Sequence, residues 1–256
     1  MRDNPVKKTL ATGGSAFGTM VFEFLSPGLP QILRNAGSDF VFFDMEHSGF
    51  SMMELKTQLA LCRGLGLVPL VRPPGKSYEY TARLLDLGAM GLLFQMVESA
   101  EEAEKIVRWT QYPPQGVRGA MFGGAHDDYG SEAMPDVMAQ AHDRTMVCVL
   151  IETAKGLANV DEIMAVPGVD VAHLGHADLS MSLGIPGDFE HPKLQGGIDS
   201  ILAACEKHGK SAACLVGNVE QGKAWMKRGF RMVSYFYDIG LMTEALRSGI
   251  DGMKSD

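Results

Sequence analysis

Two short apolar runs in the middle of the chain each lead into a carboxylate. VCVLI ends at Glu152, and VAHLG, followed by His176 and Ala177, runs into Asp178. Two acidic side chains delivered to one crevice begin a site for a hard divalent cation, which prefers oxygen ligands. The alternative is that both only cap the helices that follow, since acids favour first turns. Other groups with chemical potential end similar runs: Asp44, Glu46 and His47 in DFVFFDMEH, Arg72 in VPLVRPPG, and Gln95 in GLLFQMV. A His–Asp pair can move a proton and an arginine can hold an anion. Taken singly, His47 reads as a structural histidine, Asp44 and Glu46 as acids opening a helix, and Arg72 as a surface ion pair. Gathered at one rim, they read as a site.

The elements that would gather them alternate along the chain. Strand-like runs at 18–24, 39–47, 68–75, 91–97, then MVCVLIE, DVAHLG, SAACLVG and FRMVSYF are each followed by an amphipathic, helix-like stretch. Ser51 with Glu54 three residues on is a capping-box pattern, and Ser99 before acids repeats the signal. Two long loops break the rhythm: the Gly-rich stretch from Tyr112 to Gly130 before a helix around 131–143, and SMSLGIPGDFEHP after Asp178, before a helix near 194–208. Eight βα units without an internal linker predict a single-domain α/β (β/α)8 TIM barrel over 1–256. In such a barrel, functional residues collect at the carboxyl ends of the strands. An open doubly wound sheet fits less well, because GGSAFG precedes a strand instead of following one. The last segment, Gly240 to Met253, carries Leu241, Met242, Ala245, Leu246 and Ile250 on one face. That face is expected to pack on its own barrel; exchange between subunits is the alternative.

Composition excludes several classes. The 256 residues are 46% hydrophobic with a formal charge of −8, and no basic run offers a surface for nucleic acid or anionic membrane. No apolar stretch approaches the roughly 18 residues of a membrane span, and the start has no apolar signal core, so a cytoplasmic location is expected. Cys62, Cys148, Cys205 and Cys214 are widely spaced and read as reduced core residues.

FFDMEH, PLVRP, LLDLGAMGLL, RWTQYPPQGVRG, LIET and VDVAHLGHADLSMSLG resemble, in order and spacing, the HpcH/HpaI aldolase family, over roughly residues 16 to 240. The resemblance implies a class II, metal-dependent aldolase joining pyruvate or a related 2-oxo acid such as hydroxypyruvate to an aldehyde. It implies a magnesium, manganese or cobalt ion held by Glu152 and Asp178, with His47 paired to Asp44 as acid/base and Arg72 on the keto or enolate oxygen. Backbone amides around Gly175, Ala177 and Asp178 would hold the substrate carboxylate. It further implies a homo-oligomer, a trimer or hexamer, with the C-terminal helix packed across subunits. Two positions depart from the pattern: Leu150 stands where members often carry Gln, and His176 where Pro is common. The first removes a polar group from the barrel mouth and the second adds a donor beside the expected carboxylate site.

Competing chemistries remain open at this level. A Schiff-base aldolase would need a lysine inside the barrel, where Lys155 and Lys76 are the nearest candidates. A CoA-ester lyase of the same superfamily would need a cationic groove, and an idle barrel would bind a small acid without turning it over. His173-x-x-His176, with His126, could be weighed as a zinc set. The better expectation makes His173 a core or supporting residue, His176 a substrate contact, and His126 a lid group near the aldehyde.

Overall fold

The computed structural model describes residues 1–255. Eight parallel strands close in sequence order: β1 (Ala16–Val21), β2 (Phe40–Asp44), β3 (Val68–Arg72), β4 (Gly91–Phe94), β5 (Met146–Ile151), β6 (Val171–Leu174), β7 (Ser211–Val216) and β8 (Met232–Tyr237). The helices are α1 (Pro5–Ala11), α2 (Leu29–Asn35), α3 (Met52–Leu61), α4 (Tyr78–Asp86), α5 (Ala100–Thr110) and α6 (Met134–Arg144) in the first part. Then follow α7 (Ala154–Ala158), α8 (Val160–Ala165), α9 (His176–Ser182), α10 (Pro192–Lys207), α11 (Val219–Arg228) and α12 (Asp238–Lys254). This is the (β/α)8 TIM barrel expected from the alternation.

The strands are buried on both faces, which is why they read as continuous apolar runs. Phe40, Phe42, Leu70, Leu93, Cys148, Leu150 and Val171 fill the barrel interior. Val41, Phe43, Val71, Phe94, Val149, Ile151 and Leu174 face the helices. Gly18 of β1 leaves room for Phe40 of β2, its register partner: a Cβ there would stand 2.3 Å from the Phe40 carbonyl oxygen. The capping box is formed, with the Glu54 amide donating to Ser51 Oγ and Glu54 Oε2 accepting from the Ser51 amide.

The amino-terminal mouth is plugged. Val6 and Leu10 of α1 join the interior cluster. Asn4 Nδ2 donates to the carbonyls of Met90 and Arg144 at 3.2 and 3.0 Å, tying the start of the chain to the amino ends of β4 and β5. The open mouth is therefore the carboxyl end.

The expectation for the C-terminal segment needs correction. In α12 the side chains of Met242, Ala245 and Leu246 are exposed, and Gly240 alone among its described residues is fully buried. The helix docks through its first turn, where Asp238 accepts from the amides of Phe22, Glu23 and Phe24 at the end of β1. Beyond that turn its apolar face is left largely uncovered by its own chain, with Met242, Ala245 and Leu246 exposed and Leu241 and Ile250 half-buried. Among the described residues no helix is long and apolar enough to cross a membrane.

Candidate active site

A cavity of about 230 Å³ opens at the carboxyl ends of the strands. His47, Arg72, Glu152, Gly175, His176, Ala177 and Asp178 line it, so the structure brings these expected residues together. The rest of its wall is formed by Leu150 and His173, both noted in the sequence, and by Met20, Phe22, Leu93, Leu215 and Tyr237, which the sequence did not single out.

The end of β5 delivers Glu152, and the first turn of α9, directly after β6, delivers Asp178. Glu152 is 5% exposed, and its Oε1 accepts from the Met96 amide at 2.7 Å. That amide can reach it because Met96 adopts a left-handed backbone, φ 48°, just past β4. Gly175 packs against the other side of Glu152: a Cβ there would lie 2.6 Å from Glu152 Cβ and 2.9 Å from Oε2. Burial pushes the Glu152 carboxyl up to about 7; the Met96 hydrogen bond opposes this, and the charges of Asp178 and Glu46 add to it. Glu152 is thus a buried carboxyl whose charge is further disfavoured by two half-buried carboxylates, Asp178 and Glu46. That donor set suits a hard cation, whose charge would offset the penalty. Among the described residues no third His, Cys, Asp or Glu completes a cluster, so two protein oxygens would leave positions for substrate and water.

β2 and β3 run in register with Asp44 beside Arg72. Arg72 Nε donates to Asp44 Oδ2, and its NH1 lies 3.1 Å from Glu46 Oε2. Asp44 is fully buried and Arg72 nearly so, which makes this a rigid planar grip. The Asp44–His47 contact differs from the expected one. Asp44 Oδ1 accepts from the His47 backbone amide at 2.6 Å, while the ring nitrogen Nε2 lies 3.5 Å from Glu46 Oε2. Asp44 therefore fixes the turn, and Glu46 is the carboxylate beside the imidazole. Glu46, read from the sequence as an acid opening a helix, instead faces both His47 and Arg72.

α9 begins at His176, and its N-cap Gly175 has no side chain to satisfy the first-turn amides. The N–H groups of His176, Ala177 and Asp178 have no intrahelical partners there. The His176 ring sits edge-on between Phe189 and Trp225, with centroids at 5.0 and 5.6 Å, and burial lowers its pKa. His173 points into the barrel instead, with Phe42 edge-on at 5.9 Å. The two rings have separate surroundings, and among the described residues they belong to no three-ligand group.

His126 is a correction. It is fully buried in a single 3-10 turn, Ala125–Asp127, with Nε2 3.3 Å from Tyr112 Oη and its ring against Phe122. It packs the Gly-rich loop down and does not line the cavity. Lys155 pairs with Glu98 at 3.2 Å and Lys76 with Glu102 at 2.6 Å, and no lysine is among the residues lining the cavity.

An arginine, a histidine and two carboxylates thus gather at the carboxyl mouth of a closed βα barrel, the end where barrel enzymes carry their active sites. Comparison with known proteins narrows the class. Residues 20–245 match the HpcH/HpaI aldolase/citrate lyase family, and the chain belongs to it. It is similar to a hydroxypyruvate/pyruvate aldolase of Paraburkholderia phytofirmans, 34% identical over 256 residues and covering 98% of both chains. It is also similar to a 4-hydroxy-2-oxo-heptane-1,7-dioate aldolase of Escherichia coli, 32% identical over 95% of this chain and 92% of that one. The crystal structure of an HpcH/HpaI aldolase from Desulfitobacterium hafniense superposes with a TM-score of 0.93, at 29% identity, over 98% of this chain and 97% of that one. The chain is accordingly an aldolase, a carbon–carbon lyase.

Proposed function

We propose that the chain reversibly joins pyruvate or a related 2-oxo acid such as hydroxypyruvate to an aldehyde, with the chemistry carried by the carboxyl-end cavity. The observation that carries this reading is the pair of carboxyl groups, Glu152 and Asp178, beside Arg72 in a cavity of about 230 Å³. A space of that size suits a short acid. The absence of a lysine from its lining favours enolate formation over a Schiff base.

An aldolase must stabilise negative charge on the keto oxygen while a carbon–carbon bond is made or broken. A divalent cation held by Glu152 and Asp178, of which magnesium, manganese and cobalt are the expected kinds, supplies a Lewis acid there. Arg72 is held by Asp44 and Glu46 and meets the developing charge without reorganising. The first-turn amides of α9 at Ala177 and Asp178, approached through Gly175, receive the substrate carboxylate, with His176 as the adjoining wall. His47 moves the proton: in cleavage it takes it from the 4-hydroxyl, and in synthesis from C3 of the 2-oxo acid. Its ring side chain is 59% exposed and can exchange that proton with solvent. A second copy of the chain would cover the exposed Met242 and Leu246 of α12, giving the homo-oligomer, trimer or hexamer, expected from the family resemblance.

Aldol formation from pyruvate and hydroxypyruvate with small aldehydes, after EDTA and then with each ion restored, tests the proposal. Product should disappear with EDTA and return with metal. Full activity in EDTA, or trapping of pyruvate by borohydride, would contradict it. Sedimentation gives the assembly state.

A further inference from the structure

His173 is the one imidazole in the barrel interior, and the roles assigned above do not use it. It lines the cavity, is 3% exposed, and stands in register with Leu150 on β5. Its Nδ1 lies 3.2 Å from the Leu174 carbonyl oxygen. A carbonyl can only accept, so the proton sits on Nδ1, and Nε2 carries a bare lone pair. Among the described residues nothing donates to that atom. Leu174 engages the Nδ1 edge, and the ring takes part in the cavity lining while Nε2 itself is shielded from solvent. Burial, reinforced by the charge of Arg72, holds the ring pKa down at about 3, so Nε2 remains an acceptor across the physiological range. The apolar lining residues Leu150, Leu93, Met20 and Leu215 offer no donor, and Arg72 and Tyr237, which line the same cavity, make no hydrogen bond to Nε2. A buried acceptor left alone is unfavourable, so a ligand that brings a donor gains relative to one that does not.

We infer that His173 Nε2 accepts a hydrogen bond from a hydroxyl on C3 of the donor 2-oxo acid, and so selects a hydroxylated donor over one ending in a methyl group. The inference rests on the reading of the cavity as a 2-oxo acid aldolase site. It adds which donor substituent the cavity wall recognises, and through which atom. A methyl group at the same place would leave Nε2 unpaired.

The test compares wild type with His173→Phe, both loaded with manganese, measuring kcat/KM for hydroxypyruvate and for pyruvate with one shared aldehyde. Phenylalanine keeps the ring and removes the acceptor, so the hydroxypyruvate-to-pyruvate ratio should fall about tenfold, the order of one buried neutral hydrogen bond. A second measurement needs only wild type: in 15N-histidine-labelled protein, the Nε2 resonance of His173 should move on saturation with hydroxypyruvate and stay in place with pyruvate. A ratio that changes by less than about threefold overturns the inference. So does an equal loss toward both donors, which would make His173 a packing residue, or an Nε2 resonance indifferent to the donor. If wild type forms no aldol product from either donor with any ion, the proposed function itself fails and this inference falls with it. The wild-type control alone reveals that outcome.

Discussion

Replacing Glu152 by glutamine should make the metal-free protein more stable while abolishing its activity. Glutamine keeps the shape and the acceptor for the Met96 amide, which now lies 2.7 Å from Oε1, and it removes the charge. The folded carboxyl sits at about 7 against an ordinary value of 4.5, because it is buried and shares its surroundings with Asp178 and Glu46. Between those values the folded chain binds a proton that the unfolded chain has released, so folding weakens as pH rises. The full penalty applies above about 7, and below 4.5 it is gone, since both states are then protonated. At about 1.36 kcal/mol per pH unit the gap is worth about 3 kcal/mol. Glu152→Gln should therefore gain up to that amount at pH 8 in EDTA, or about 6–10 °C in Tm for a chain of this size. At pH 5 the gain should shrink to less than about 1 kcal/mol. Added manganese should raise the Tm of wild type, by about 2.7 kcal/mol of stability at a hundredfold excess over Kd, and leave the variant unmoved. Thermal unfolding followed by circular dichroism at the two pH values decides the matter. No gain at pH 8, or the same gain at both values, would refute the reasoning, because it would mean the carboxylate is not held at a cost.

Under limiting metal, Glu152→Ala or Asp178→Ala should lower kcat/KM at least as far as His47→Ala, since a positioned acid/base accounts for about 10²–10⁴ of the rate and the remainder must come from charge stabilisation. Arg72→Lys should cost about 10²–10³ in kcat, because one ammonium cannot bridge Asp44 and Glu46 while presenting a donor to the substrate; a steady-state assay giving near-normal kcat would rule that role out. Gly175→Ala should drive a methyl group into Glu152, whose Cβ lies 2.6 Å from the added carbon. A loss of about 1–3 kcal/mol in stability and weaker manganese binding by calorimetry are expected.

The barrel could be read from the sequence because parallel strands buried on both faces are short apolar runs, and β2, with FVFFD wholly buried, is the plainest of them. The same property hid which residues face inward. In a strand buried on both sides there is no polar–apolar alternation to fix the parity. Nothing in VAHL announces that His173 looks into the barrel while Leu174 faces the helices. The α1 plug was missed because a helix of 7 residues carries little periodic signal. The uncovered face of α12 was missed because an apolar stripe shows that something will cover it without saying whether that is the same chain.

At the site, residue types were legible and partnerships were not. Asp44, Glu46, His47 and Arg72 were all visible at strand ends, but the pairing of Asp44 with the His47 amide depends on a tight turn that brings the backbone, not the ring, to the carboxylate. His126 looked exposed because glycines surround it, and it is buried because those glycines let the loop fold back on Tyr112. The Glu152 carboxylate and the His173 lone pair are each placed where a stability-driven sequence would not put them: one is a charge among charges, the other an acceptor with no donor. Local rules broken together in one cavity indicate that something absent from the chain completes them. Under the proposed function a cation would supply the positive charge that Glu152 lacks, and the substrate would supply a hydrogen-bond donor to His173. A hydroxylated 2-oxo acid arriving with a divalent cation brings both at once, whereas pyruvate with the same cation brings only the first.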